Sequence, residues 1–592
     1  MAGAGEEERS GPFFASRIAG VHDCFAGAPL FRGLPAAVAA AFFEEMSWFS
    51  LPGGSVLFRQ GEQGEALYLV VSGRLVVLAE GPSGEPVVVA EAGVGETVGE
   101  MALISGETRS ATVMALRDSE VLEITRRDFE RILERYPRVA LPLARDLAMR
   151  LSQRLRHDAL GGASRNFALL PLAPHLPLES FGRALAAALA SHAPRVCILG
   201  PADGLHESEW FTARELASDF CVYCAEPEIT PWTRLCLRQA DRVLLVCRPD
   251  QPLPPVLLHE LAPAEVAHRP LDLVLLESAD GPLPAPSSAW LSRIPAKFHC
   301  RVRPGNAGDT ARLARFLLGR AVGLVLSGGG ARGLAHIGVV RALREAGIAF
   351  DLVAGSSMGA IIAAGVALEW TDAELSARVR HSFVDTNPLS DLALPFIAFT
   401  RGRKVSRLLR AQFGEVQVED LWRPYFCISS NLTTARSVVH RDGPLWLALR
   451  ASVAIPGLLP PVIERGEVLV DGGVMDNLPI DLMRAQHRGP VIGVNVGATR
   501  GLTSAVEDLE NVPLWRLLFK GRRGVPWIVP VLVRAGTISS DIQNELARRQ
   551  ADLLLVPPLE AVDILDWKAF DRAVEIGYRY ASEQLAQTSF KL

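Results

Sequence analysis

Lysine is nearly missing from this sequence. Of 61 basic residues only five are lysine, at positions 297, 404, 520, 568 and 591, and the rest are arginine. That bias points to a GC-rich genome, a correlation rather than a mechanism. Cysteine is sparse too. Eight in 592 residues imply no disulfide framework. Cys221 and Cys224 form a CxxC with no second pair at zinc-site spacing, which reads as inert thiols and no metal site. A surplus of one charge is also lacking: 61 basic residues face 66 acidic ones. A net charge of -5 over this length gives no bulk attraction to nucleic acid. The first residues, MAGAGEEERSGPFFASRIAG, are acidic where a secretion signal is basic, and they lack an apolar stretch. No charge-free apolar run of about 18 residues lies near either end. The segment Leu389 to Thr400 is apolar but short and carries Asp391. The expectation is a cytoplasmic protein, peripheral on the inner face of the cell membrane.

What is present is ample core-forming material. Hydrophobic residues make up 49% and charged residues 21%, a composition for globular domains. Composition shifts divide the chain into three, 23–154, 166–305 and 320–588. In the first, short alternating runs broken by glycine (GGSVLFRQGEQGEALYLVVSGRLVVLAEG, then EPVVVAEAGVGETVGE) predict a β-sandwich or jelly roll. Helical periodicity flanks it at Leu34 to Phe49 and Arg127 to Arg154. After a linker at 155–165, strand-like runs at Arg195 to Leu199, Val243 to Cys247 and Leu271 to Leu276 alternate with helix-length segments such as Phe181 to Ala190. This predicts a middle α/β domain. No GxxxxGK[ST] loop follows Gly200, so no triphosphate site is expected there. From the arginine-rich segment near 305 onward, the pattern is one large α/β domain with a helical tail, and no internal repeat is visible.

That last domain carries a candidate nucleophile. Gly355-Ser356-Ser357-Met358-Gly359 is a GxSxG pattern. It follows a short extended stretch, Phe350 to Val353, and precedes an apolar helical run, Ala360 to Glu369. Strand, sharp turn and helix are the setting of a nucleophile elbow. Ser357 would stand at a helix N-terminus, where backbone N–H groups favour developing negative charge. A second feature precedes it. The strand Val322 to Leu326 runs into Ser327-Gly328-Gly329-Gly330-Ala331-Arg332-Gly333 and a helix from about Leu334 to Ala346. Glycines before a helix expose unobstructed N–H donors and so make an anion cradle. With no Walker lysine and no GxGxxG, an oxyanion hole is the better reading. Arg332 would stabilise the loop or meet a substrate phosphate.

A serine hydroxyl needs a base. The strand Val468 to Val470 runs into Asp471-Gly472-Gly473-Val474-Met475-Asp476-Asn477. Asp471, at the C-terminal end of that strand, is the expected base, by the rule that α/β sheets bind at their carboxyl edges. Asp476 competes from further into the loop. His487 is the one histidine after Asp471 and reads as a helix-end residue, while His336 reads as structural. A Ser–Asp dyad follows, with Ser357 Oγ and Asp471 in direct hydrogen-bond contact.

SGGGARG (327–333), GSSMG (355–359) and DGG (471–473) resemble, in order, the three signature blocks of patatin-like phospholipases. The resemblance implies Ser357 as nucleophile, Asp471 as its partner, and Gly328, Gly329, Gly330 and Arg332 as the oxyanion region. LRQADRVLLV (237–246), RLARFLLGRAVGLVLSGGGARGLAHIGVVRAL and LPFIAFTRGRK (394–404) extend the likeness to bacterial relatives of neuropathy target esterase. That implies a lysophospholipase or phospholipase that needs no metal or cofactor for catalysis.

The first domain carries a different signal. Gly99 opens a short helix with Glu100 in its first turn, and Arg109 follows nine residues after that acid. A cyclic phosphate diester needs a fixed cation and N–H donors, and its ribose needs a carboxylate. The block resembles the phosphate-binding cassette of cyclic-nucleotide-binding domains, with Thr108 where proline is frequent. The resemblance implies cyclic AMP or cyclic GMP as regulator, with Glu100 on the ribose and Arg109 and Ser110 on the phosphate. No helix-turn-helix follows, so no DNA partner is expected.

Leu514 to Arg534 mixes Trp, Phe and Leu with Lys520, Arg522, Arg523 and Arg534, a composition of interfacial segments, but a core segment around a basic turn is the slightly favoured reading. Three readings of function stand side by side: a phospholipid or lysophospholipid hydrolase, a general carboxylesterase or neutral-lipid lipase, and a non-enzymatic nucleotide sensor on an inactive hydrolase.

Overall fold

The structure, a computed structural model, describes residues 46–80, 86–135, 137, 164–206, 208–252, 270–277, 283–294, 296–394, 396–486, 489–497 and 549–587. His487 and the segment 514–534 lie outside the described residues, as do most of the two helical flanks expected around the first β region. The chain divides into two units, 1–276 with 290–314, and 277–289 with 315–592.

The first unit begins with two antiparallel sheets. One has the order Ser47–Leu51, Ser119–Thr125, Ala66–Ser72, Thr97–Val98, and the other the order Val56–Phe58, Thr112–Ala115, Leu75–Glu80, Pro86–Ala92. Val70, Leu75, Val77, Val113, Ala115 and Val121 fill the space between them. Alternation of apolar and polar residues suits strands with one buried face. The expected helix Leu34 to Phe49 is corrected at its end. Ser47–Leu51 is an edge strand, paired in register with Ser119–Glu123, where ladder hydrogen bonds to the neighbouring strand override the local helical spacing.

The same unit continues into six parallel strands, in the order Val196–Leu199, Phe220–Cys224, Asn166–Pro171, Arg242–Cys247, Leu271–Leu276, Phe298–Val302. Asn166–Pro171 is interior to the sheet and every one of its residues is buried. Continuous burial erases the alternation that marks a strand in sequence. The loop after it, residues 172–177, reads LAPHLP and carries neither glycine nor lysine. Cys221 and Cys224 lie on one strand three residues apart, so their side chains point to opposite faces. Buried charge ties the β domain to this sheet. Asp241 receives Arg74 at 3.3 Å and Arg117 at 2.8 Å, and Arg117 also meets Glu215 at 2.6 Å. Burial works against the Asp241 charge, but Arg117 and Arg74 hold its carboxyl below the usual range.

The second unit is built on an eight-stranded mixed sheet. Its path is Val462–Glu464, Glu467–Asp471, Tyr425–Asn431, Leu352–Ser356, Gly323–Leu326, Val491–Val494, Leu553–Leu555, with Arg436–His440 also paired to Tyr425–Asn431. The strands from Tyr425–Asn431 to Leu553–Leu555 run parallel. Helices Ala335–Glu345 and Met358–Ala367 pack on the sheet, and Phe570–Gln587 packs on Ala335–Glu345. Their apolar faces form one core with Leu324, Val339, Ile362, Ile492 and Phe570. Among the described residues, no helix is long and apolar enough to cross a membrane.

Candidate active site

Two neighbouring parallel strands, Gly323–Leu326 and Leu352–Ser356, end side by side, with Leu326 opposite Gly355. The glycine loop leaves the first and Ser357 the second. Both therefore stand at the carboxyl edge of the sheet, where open α/β sheets place their sites.

Ser357 has φ 53° and ψ −123° and caps the helix Met358–Ala367. A positive φ is strained for a residue with a Cβ, and surrounding contacts hold it there. The Ser357 N–H donates to Ser452 Oγ at 3.0 Å. Gly359 lets the turn close: a Cβ there would lie 2.3 Å from the Leu326 carbonyl oxygen. Ser357 Oγ donates to Asp471 Oδ2 at 2.6 Å, and Gly473 N–H donates to Asp471 Oδ1 at 2.8 Å. Burial pushes the Asp471 carboxyl up to about 6, against the pull of those two hydrogen bonds.

The route by which Asp471 reaches the serine differs from the one expected. Glu467–Asp471 runs antiparallel to Tyr425–Asn431, with Asp471 opposite Ser429. The carboxyl-edge rule thus does not place it. The strand ends early, in line with the point where Leu352–Ser356 ends across the intervening strand, since Ser356 lies opposite Ile428. Ser430 Oγ donates to the Gly472 carbonyl and accepts from Met475 N–H, which holds the following loop.

The glycine loop also differs in detail. The Gly328 N–H donates to Asn477 Oδ1 at 3.0 Å, and Asn477 Nδ2 donates back to the Gly328 carbonyl at 3.3 Å. Arg332 donates through Nε to the Val562 carbonyl at 2.7 Å. Among the described residues, the N–H groups of Gly329 and Gly330 donate to no protein acceptor. The loop lies against the serine, since a Cβ on Gly328 would be 3.0 Å from Ser357 Cβ. His336 is fully buried and donates through Nε2 to the Ser327 carbonyl at 2.8 Å. Burial pushes its pKa down to about 4, so it stays neutral and structural. Asp476 accepts from Leu478 N–H rather than from Ser357, and burial beside Asp481 pushes its carboxyl up to about 7. Ser452 and Asn477 are the site residues that sequence reasoning missed. Asn477 follows Asp476 directly, so its nearness to DGG was the one available signal.

In the β domain, Gly99 takes φ 83° ahead of the helix Glu100–Ser105. Glu100 and Arg109 are both buried, and Ser110 is exposed. The Arg109 guanidinium donates to the carbonyls of Gly99 at 2.9 Å and Ala66 at 2.8 Å and lies over the Phe58 ring at 4.1 Å. Burial pulls its pKa down from the ordinary value, countered by the charges around it.

Comparison with known proteins agrees with this architecture. A family model described as patatin-like phospholipase matches residues 324–484, the region that holds Ser357, the glycine loop and Asp471. A cyclic nucleotide-binding domain model matches residues 48–136, and a neuropathy target esterase family P-loop like domain model matches 164–307. A Mycobacterium bovis protein named as an uncharacterized NTE family protein is 33% identical over 545 residues, covering 89% of this chain and 90% of its own length. The chain belongs to the NTE family. The human patatin-like phospholipase domain-containing protein 6 is 31% identical over 90% of this chain, and the Aspergillus niger lysophospholipase nte1 is 28% identical over 91%. The chain spans 44% and 42% of the length of those two relatives.

Proposed function

We propose that this chain hydrolyses acyl esters of lysophospholipids or phospholipids, with Ser357 as nucleophile and Asp471 as its base. The observation that carries the reading is the 2.6 Å hydrogen bond from Ser357 Oγ to the buried Asp471 carboxylate. Asp471 takes the hydroxyl proton as Oγ bonds to the acyl carbon. The carbonyl oxygen gains charge beside the Gly329 and Gly330 N–H groups. Collapse breaks the bond to the glycerol oxygen, which leaves with the proton from Asp471. Water then attacks the acyl-serine, gives its proton to Asp471, and the fatty acid leaves as the serine recovers its hydrogen. A carboxylate raised to about 6 is a better base than an ordinary one and is still ionised at neutral pH. Oxyanion binding and positioning supply the rest of the rate.

The test is fatty-acid release from lysophosphatidylcholine by wild type, Ser357→Ala and Asp471→Ala, with a neutral acylglycerol and a short-chain ester in parallel. Loss in both variants with folding retained supports the dyad. Turnover of the neutral lipid alone would replace the substrate class. An inactive wild type that also escapes serine-reactive phosphonates would leave the sensor reading.

A second reading concerns regulation by cyclic AMP or cyclic GMP. It is supported by Glu100 and Arg109 buried within one turn-and-helix block that matches a cyclic nucleotide-binding domain. A change in esterase rate on adding either nucleotide tests it.

A further inference from the structure

The structure assigns a membrane-docking surface to residues 392–394 and 396–410: an apolar finger that enters the bilayer, and beside it an arginine-lined cleft that takes the phosphate of an anionic phospholipid. The proposal goes beyond the hydrolase reading and does not depend on it.

The finger is built rather than loose. Leu392 and Thr400 form a β-bridge. Ala393 N–H donates to the Phe399 carbonyl at 3.0 Å, and Arg401 N–H to the Asp391 carbonyl at 2.8 Å. The base is tied down further. Phe399 N–H donates to Gly457 O, and Thr400 donates through both N–H and Oγ1 to Leu458 O. On this fixed stem Leu392, Leu394, Phe396 and Ile397 stand 72%, 75%, 91% and 73% exposed. Scattered apolar residues on a surface need no explanation, but four within six positions, held out by a hydrogen-bonded stem, form a patch.

The chain then enters the helix Arg403–Phe413. Val405, Leu409 and Phe413 face the core, and Arg403, Arg407 and Arg410 recur on the other side at helical spacing. With Arg401 and Arg450 these line an open cleft of about 350 Å³, whose remaining walls are Gly402 and Ser406. Five arginines line it and, among the described residues, no carboxylate does. Arg450 is 94% buried (6% exposed), gives Nη2 to the Pro460 carbonyl at 2.8 Å, and leaves Nη1 with no protein partner among the described residues. Phosphate oxygens match the fork geometry of the arginines that line the cleft.

Charge and apolarity together select the occupant. An apolar tip flanked by cations is the pattern that binds the interface of an anionic membrane, with side chains in the acyl boundary and guanidinium groups among the headgroups. The surface is also coupled to the serine. Arg450 lies on the helix Leu445–Ser452, whose last residue accepts the Ser357 N–H, and the Ala454 carbonyl accepts from Asp471 N–H. Docking there holds the site against the bilayer.

The test is co-sedimentation of the full chain with vesicles of phosphatidylcholine, with and without phosphatidylglycerol. Wild type and Ser357→Ala are expected to bind the anionic vesicles equally, so binding is read without hydrolysis. The triple variant Leu394→Ser, Phe396→Ser, Ile397→Ser is expected to lose at least about tenfold in partitioning. Arg403→Gln with Arg407→Gln is expected to lose a similar factor and to flatten the salt dependence. Melting temperature and short-chain ester hydrolysis stay at wild-type levels in both. As a measurement independent of loss, Phe396→Trp is expected to gain quenching by brominated phosphatidylcholine over the wild-type background. Wild type that ignores anionic vesicles, variants that bind as wild type does, or a Phe396→Trp that gains no quenching would each overturn the proposal.

Discussion

Ser357 Oγ and Asp471 Oδ2 are 2.6 Å apart in space and 114 positions apart in sequence. The carboxylate that accepts this hydrogen bond is buried and has its other oxygen committed to the Gly473 N–H. Both carboxylate oxygens are thus engaged, and on the proposed mechanism the protonation of this pair sets the chemistry.

Activity will follow that protonation. As the proposed base, Asp471 would work only when ionised, and its pKa is raised to about 6. The rate is therefore expected to rise with pH through a midpoint near 6 and to flatten above it. A kcat/KM profile on a soluble ester checks this. A midpoint near 4, the ordinary carboxyl value, would mean that the carboxylate is solvated in the working enzyme.

Stability will run the other way. The folded state holds the Asp471 proton more tightly than the unfolded chain does, from an ordinary 3.8 to about 6. The cost of ionising it is absent at low pH and grows as pH rises from about 4 through 6. Asp471→Asn is therefore expected to be more stable than wild type above pH 7, on the order of 1–3 kcal/mol, while losing about 10²–10⁴ in kcat. Urea unfolding at acid and alkaline pH, beside an activity assay, reads both effects.

Ser452→Ala removes the acceptor of the Ser357 N–H. The Ser452 hydroxyl bonds the Ser357 backbone, so the expected role is positioning. The expected effect is a fall of about tenfold in kcat with KM little changed. Ser452→Thr, which keeps the hydroxyl, is expected to recover part of it. A purely structural role would instead lower the melting temperature and spare kcat.

Gly330 has φ 56°, and a Cβ there would lie 2.2 Å from the Ile564 carbonyl oxygen. Gly330→Ala must therefore shift the glycine loop away from the tail segment. Labelling by a serine-reactive phosphonate is expected to slow by about 10²-fold, the scale of losing one oxyanion donor, with Asp471 untouched. Labelling at the wild-type rate would remove this loop from the oxyanion role.

Arg109 is buried, donates to two carbonyls and lies over the Phe58 ring, and its Nε has no partner among the described residues. Arg109→Lys loses the fork and the stacking, and is expected to lower stability by about 1–3 kcal/mol even without ligand. In wild type, cyclic AMP or cyclic GMP at about 100 times its Kd is expected to add about 2.7 kcal/mol. The variant should show no such increment. Thermal melts with and without nucleotide separate the two effects.

Local features were readable in the sequence itself. Gly355 to Gly359 and Ser327 to Gly333 are contiguous, and their constraints are backbone constraints: a turn too tight for a Cβ, and N–H groups gathered before a helix. Contiguous chain carries such information whatever surrounds it. The short strands of the β domain were legible from their apolar runs set between glycine turns. The fully buried strand Asn166–Pro171 was not, because burial on both faces removes the period. Pairings between distant segments needed the tertiary structure. Asp471 was named as base by a rule for parallel strands, but it arrives on an antiparallel one. Ser452 became the support of Ser357, and Asn477 took up the Gly328 N–H, through contacts 95 and 149 positions apart. Residue type limits what a side chain can bond to; only strand register and helix placement decide which groups come within 3 Å.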